Sequence, residues 1–104
     1  MNVKYRSMLN KNQVKYLKSL ANTCENKYQI GKYEVTDSLI EMLSNALDKY
    51  ELIKVCLNKN VAIDKSDIAE ELSQKLYAEV IQIIGGVIVL YRKNLKEPKI
   101  KLPR

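Results

Sequence analysis

The stretch that most limits the fold is "AEVIQIIGGVIVLY", residues 78–91. Its β-branched and apolar residues flank a Gly85-Gly86 pair. Two adjacent glycines stop a helix from propagating but supply the backbone that a two-residue hairpin turn of type I′ or II′ requires. The run is also too short for a membrane span, which needs roughly 20 apolar residues without such a break. A tight antiparallel hairpin is therefore expected here, and the rest of the chain must provide what packs against it.

Helical periodicity supplies the partners. Asn10 is a candidate N-cap with Gln13 at the reciprocal capping-box position, opening a helix whose Val14, Leu17 and Ala21 share one stripe. Lys11, Lys15 and Lys18 form a second stripe beside it, read either as a solvated face or as a binding face. "KYQI" reads as a short strand ending at Gly31. Thr36 caps a second helix with Leu39, Ile40, Leu43, Ala46, Leu47 and Tyr50 on one side. "ELIKVCL" alternates as a strand, with Lys54 and Cys56 facing away from Ile53 and Val55. Asp64 or Ser66 opens a third helix with a core stripe of Ile68, Ala69, Leu72 and Leu76, and Glu70, Glu71 and Glu79 on its wet side. The order is helix, then β-α-β-α-β-β. This predicts an α/β (α+β) sandwich, a mixed four-stranded sheet packed against helices. One domain is expected over residues 9–104, preceded by an arm at 1–8.

Beyond Tyr91 the tail "RKNLKEPKIKLPR" loses its period, and Pro98 and Pro103 block helix. Ile100 and Leu102 alternate with Lys99 and Lys101, which predicts an extended segment with its apolar residues inward.

Charge is distributed unevenly about a net of +6. Residues 1–22 hold five cations and no acid, residues 34–80 ten acids and five lysines, and residues 81–104 six cations and one acid. Two basic ends around an acidic middle point to nucleic acid first and an anionic surface second. The acids are read as solvated helix faces.

Histidine is absent, so the commonest general base and metal ligand is missing. Cys24 and Cys56 stand 32 positions apart and read as free thiols. There is no Walker loop, no dinucleotide fingerprint and no nucleophile elbow. A protein without catalysis, cofactor, metal or small-molecule substrate is expected, and the lack of an apolar leader predicts a cytoplasmic location.

The connection "IGKYEVT" between the first strand and the second helix has two readings. Spacing alone favours an ordinary turn. The alternative is a phosphate-gripping loop at a helix N-terminus, with Lys32 as a charge and Tyr33 as a stacking ring.

The segments "LNKNQVKYLKSLAN", "IGKYEVTDSLI", "ALDKYELIKV", "QIIGGVIVLYR" and "KIKLPR" together resemble the YhbY family of bacterial stand-alone CRM domains, over about residues 8–104. The module also occurs in plant organelle splicing factors. The resemblance implies a fold similar to the C-terminal domain of bacterial translation initiation factor three. It also implies RNA as partner, specifically ribosomal RNA in precursors of the large subunit, and a role in ribosome assembly. The family's G-x-x-G loop reads Gly31-Lys32-Tyr33-Glu34 here, so the second glycine is replaced by an acid. Residues 1–7 extend beyond the usual family start.

The expected RNA-binding residues are Lys11, Lys15 and Lys18, the loop residues Gly31, Lys32 and Tyr33, and the tail cations Arg92, Lys93, Lys96, Lys99, Lys101 and Arg104, forming one surface. The rival reading is an adaptor whose acidic helix faces bind a basic ribosomal or assembly protein.

Overall fold

Asn10 begins the first helix through a reciprocal capping box. Its side chain accepts from the Gln13 N–H at 2.8 Å, and its own N–H donates to Gln13 Oε1 at 3.0 Å. Helix α1 then runs from Lys11 to Thr23. The computed structural model describes residues 9–30, 36–57 and 64–103. Residues 1–8, 31–35, 58–63 and 104 lie outside them, and with them the expected arm and the expected phosphate-gripping connection.

The remaining elements are β1 (Lys27–Ile30), α2 (Asp37–Tyr50), β2 (Leu52–Leu57), α3 (Lys65–Leu76), β3 (Glu79–Ile84) and β4 (Val87–Tyr91). Thr36 caps α2 by accepting from the Leu39 N–H, and Asp64 caps α3 by accepting from the Ser66 N–H. The sheet has four strands in the order β1-β2-β4-β3. β1 and β2 are parallel, and β4 is antiparallel to both its neighbours. β4 thus sits between two strands that run the same way.

The Gly85-Gly86 turn is where glycine is needed twice. Gly85 has φ +57° while Gly86 does not enter the positive region, the pattern of a type II′ turn. A Cβ on Gly86 would come 3.1 Å from the Leu57 carbonyl oxygen, and the Leu57 N–H donates to Gly86 O at 2.7 Å. The turn is therefore packed against the end of β2. On β3 the register slips between Val80 and Gln82, a bulge that places Ile81 and Gln82 together opposite Val89.

The sheet has a core on each face. On one, Leu43, Ala46 and Leu47 of α2 and Ile68, Ala69, Leu72 and Leu76 of α3 pack on Ile53, Val55, Ile88 and Leu90. On the other, Leu17 and Ala21 of α1 pack on Leu52, Ile81, Val89 and Tyr91, joined by Ile100 and Leu102 of the tail. No helix follows Tyr91 among the described residues, and Lys99 and Lys101 are exposed, as the alternation of the tail predicts.

Two acids depart from the expected solvated faces. Glu79 is not on the wet side of α3; it is the first residue of β3 and is buried. Glu51 is fully buried and lies outside the strand "ELIKVCL", as the C-cap of α2. Its φ of 65° and ψ of −34° are strained for a residue with a Cβ, at a cost of about 1–3 kcal/mol. The compensation is a set of hydrogen bonds. Its Oε2 accepts from the Asn94 N–H and its Oε1 from the Lys99 and Ile100 N–H groups, each at 2.6 Å. Its carbonyl accepts from the Arg92 N–H at 2.9 Å. Charge-assisted bonds of this kind are about twice as strong as neutral ones.

Replacing Glu51 with Gln puts a donor where backbone N–H groups already converge. Stability should fall by about 2–4 kcal/mol, lowering Tm by roughly 10–20 °C for a domain of this size. Amide exchange at Asn94, Lys99 and Ile100 should accelerate beyond what global unfolding accounts for. Unchanged protection at these three amides would show that packing of Ile100 and Leu102 holds the tail without the carboxylate.

Candidate nucleic-acid interface

At 100° per residue, α1 has two flanks on either side of Leu17. Val14 and Ala21 begin one flank, which continues into Lys18, Lys11 and Lys15. Gln13 and Leu20 begin the other. Lys11, Lys15 and Lys18 are all exposed and border one shallow groove with Leu9, Asn10 and Val14. The structure brings these three residues together as the sequence pattern implies, and α1 contains no acid to compete with them.

The tail occupies the other flank. Gln13 Nε2 donates to the Pro103 carbonyl at 3.0 Å, and Leu20 shares a hollow with Lys49, Tyr50, Lys99 and Ile100. The expected single surface of α1 and tail lysines is therefore two patches divided by the helix. Ile100 and Leu102 draw the tail to the Gln13 side, where the apolar surface is.

Within the tail the cations differ. Lys93, Lys96, Lys99 and Lys101 are exposed. Lys99 Nζ lies 3.2 Å from Glu97 Oε2, an exposed pair of little energetic weight. Lys93 borders a cleft formed with Leu9, Gln13, Tyr91, Leu95 and Leu102. Arg92 turns inward. Its Nη1 donates to Leu76 O at 2.9 Å, and its Nη2 to Ser44 O and Asp48 Oδ1 at 2.7 and 2.8 Å. Leu76 O is a terminal carbonyl of α3 that has no partner within the helix, and the guanidinium ties it to α2. Periodicity gives no hint of this role, because the acceptors lie 16 to 48 residues away in sequence.

Gly31, Lys32, Tyr33 and Arg104 lie outside the described residues. Both cysteines are half-buried free thiols. Among the described residues, no three Cys, Asp or Glu side chains converge to hold a metal, and no helix is long and apolar enough to cross a membrane.

The family model of the CRS1 / YhbY (CRM) domain matches residues 9–92. The chain belongs to this family. It is 38% identical over 96 residues to "Probable RNA-binding protein YqeI" of Bacillus subtilis, covering 92% of this chain and all of the relative. It is 33% identical to an "RNA-binding protein" of Haemophilus influenzae, covering 92% and 96%. The solution structure of the hypothetical protein SAV1595 from Staphylococcus aureus matches with TM-score 0.76 at 38% identity, covering 92% and 100%. The three helices and mixed sheet expected from the sequence are thus the fold of a CRM domain. The match ends at Arg92, where the chain leaves β4 for the tail.

Arg92 in this CRM domain offers a separable test. Replacing it with Lys retains the charge but cannot serve Leu76 O, Ser44 O and Asp48 together. The Arg92→Lys variant should lose about 1–3 kcal/mol of stability in urea unfolding, whereas Asp48→Asn, which removes only a mostly exposed carboxylate, should lose under about 1 kcal/mol. Equal losses would mean that the ion pair, not the helix carbonyls, is what Arg92 serves.

Proposed function

We propose that this CRM domain binds RNA without catalysing a reaction on it, and that its target is ribosomal RNA in precursors of the large subunit, where it assists assembly. The observation that carries the RNA reading is the exposed Lys11, Lys15 and Lys18 stripe, on a helix free of acids. The names of the Bacillus and Haemophilus relatives support it. Phosphates supply the attraction, and an A-form helix is recognised through shape, phosphates and 2′-hydroxyls more than base edges, so sequence selectivity should be modest. By family resemblance, Gly31, Lys32 and Tyr33 add a backbone grip and a stacking ring, and the exposed tail cations Lys93, Lys96, Lys99 and Lys101 form a second patch. Arg92 is left off this surface because its guanidinium is bound to the Leu76 and Ser44 carbonyls and to Asp48. The protein acts in the cytoplasm, where the precursors are.

The adaptor reading is weaker. Asp37, Glu41, Asp48, Asp67 and Glu70 are exposed on α2 and α3, but lysines such as Lys49, Lys65 and Lys75 are interspersed with them. Lys75 Nζ is already 3.2 Å from Glu71 Oε2. That face is mixed, whereas the α1 stripe has a single sign.

Salt titration tests the reading. With four to six phosphate contacts, log K for structured RNA should fall with log salt at a slope of about −3 to −5. Replacing Lys11, Lys15 and Lys18 together with Gln should flatten the slope by about 2 to 3. A slope unchanged in the triple variant would remove α1 from the interface. For the ribosomal target, crosslinking in cells followed by sequencing of bound RNA should enrich large-subunit precursor sequences. Enrichment of unrelated transcripts instead would leave RNA binding standing and remove the assembly role.

A further inference from the structure

Helix α1 covers only one end of its sheet face. Its N-terminal end borders the cleft with Glu79 and Tyr91, and just beyond its C-terminus Cys24 Sγ lies 3.6 Å from Leu52 O. Leu52, Tyr91 and Glu79 are one cross-strand row, so α1 runs along that row with the tail on its outer side. The next row on the same face is Lys27, Lys54, Val89 and Gln82, and the one beyond is Gln29, Cys56, Val87 and Ile84. Val89 is buried under the helix, but Lys54, Gln82, Cys56 and Val87 are only half-buried, and Lys27, Gln29 and Ile84 are exposed. The lysine flank of α1 is the one that overlooks these two rows.

Lys27 and Lys54 are direct register partners on β1 and β2. Like charges directly opposite on neighbouring strands repel and destabilise the pairing. Neither lysine belongs to an ion pair found among the described residues. Neither of the two rows contains a carboxylate; Glu25, exposed just before β1, is the nearest acid in sequence to Lys27. A lysine on edge strand β1 is also a familiar guard against edge pairing. That explains Lys27 but not Lys54, which sits half-buried on the second strand.

We propose that the uncovered half of the sheet is part of the RNA-binding surface, with Lys27 and Lys54 holding the phosphate backbone beside the Lys11, Lys15 and Lys18 stripe. An anion set against the two sheet lysines relieves their mutual repulsion, and the helix beside them, α1, contributes cations and no carboxylate. The main contact is thus α1 plus the open sheet, and the tail patch is secondary to it. This inference rests on the RNA reading above and names where on the domain the RNA lies.

The test uses the full chain and two probes, a base-paired RNA hairpin and single-stranded poly(U). First, wild-type binding and its salt slope are measured. No salt-dependent binding to either RNA overturns both the RNA reading and this one. Given binding, the Lys27→Gln, Lys54→Gln double variant should bind about 10-fold more weakly, with a slope flatter by about 1 to 2. Its Tm should be unchanged or higher, because the repulsion is gone. A tail variant, Lys96→Gln with Lys99→Gln and Lys101→Gln, should lose less. Unchanged affinity and slope in the double variant, with binding lost in the tail variant, overturn the proposal and leave RNA binding intact. Should the double variant fold poorly, Cys56 serves as a reporter that leaves the lysines intact. In a Cys24→Ser background, saturating RNA should slow maleimide labelling of Cys56 several-fold. Labelling at the free-protein rate overturns the proposal.

Discussion

A buried carboxylate organises the side of this domain on which its tail lies. Glu51 stands where α2 ends and β2 begins, in a backbone conformation that a side chain disfavours. It is held there by what comes to it: the N–H of Arg92 on its carbonyl, and those of Asn94, Lys99 and Ile100 on its carboxylate. A fully buried acid without these donors would carry a large desolvation cost. With them it turns a tail that has no regular hydrogen-bond ladder into a fixed part of the fold. Asn94 reinforces the junction by donating to Asp48 O, and its Oδ1 accepts from the Lys96 and Glu97 N–H groups. Arg92 closes it by linking the last carbonyl of α3, at Leu76, to the Ser44 carbonyl in the middle of α2.

This junction has a consequence at α1. Because Glu51 pins Lys99 and Ile100, the chain is delivered to the Gln13 and Leu20 flank of the helix. Leu102 then completes the second core there, and the Pro103 carbonyl meets Gln13. The lysine flank is left uncovered by the tail. Removing the anchor would therefore alter which cations are presented together, although Glu51 touches none of the α1 lysines. Anchoring of the tail and presentation of charge are two results of one set of hydrogen bonds.

Much of this was legible because it is local. The Asn10–Gln13 box, the Thr36 cap, the helical stripes and the Gly85-Gly86 turn all depend on residues within one or two turns of each other. Their physics appears as spacing. The alternation of Ile100 and Leu102 with Lys99 and Lys101 was readable for the same reason. Strand order was not, since nothing within β3 or β4 specifies that β4 inserts beside β2. The roles of Glu51 and Arg92 are not legible in the sequence, because most of their partners lie more than 40 residues away. Glu51 read as the first residue of an alternating strand, and Arg92 as one more tail cation. The lysine stripe was visible, but its separation from the tail was not. That follows from which flank of α1 the sheet and tail occupy, a fact of assembly rather than of period.

Covering power explains why the open rows exist. A helix with its side chains is about 10 Å wide, and a strand rises about 3.3 Å per residue. One helix lying across a sheet therefore shields a band of about three residues per strand, whereas two helices shield nearly all of strands this short. On the α2 and α3 side, accordingly, Ile53, Val55, Leu57, Ile88 and Leu90 are all buried. On the α1 side, burial is complete at Leu52 and Tyr91, and in the next row it holds at Val89 but fades at Lys54 and Gln82. The residue types change at the same boundary, from leucine, tyrosine and valine to lysine, glutamine and cysteine, with Val87 and Ile84 as apolar residues at the hairpin end. Had that half been apolar throughout, it would have formed a sticky patch beside the edge strand β1. Its polar and cationic composition instead extends the single-sign charge of α1 onto the sheet. With one helix on this face among the described residues, the open rows form a basic platform, and the hydrogen-bonded sheet holds Lys27 and Lys54 side by side next to the α1 stripe.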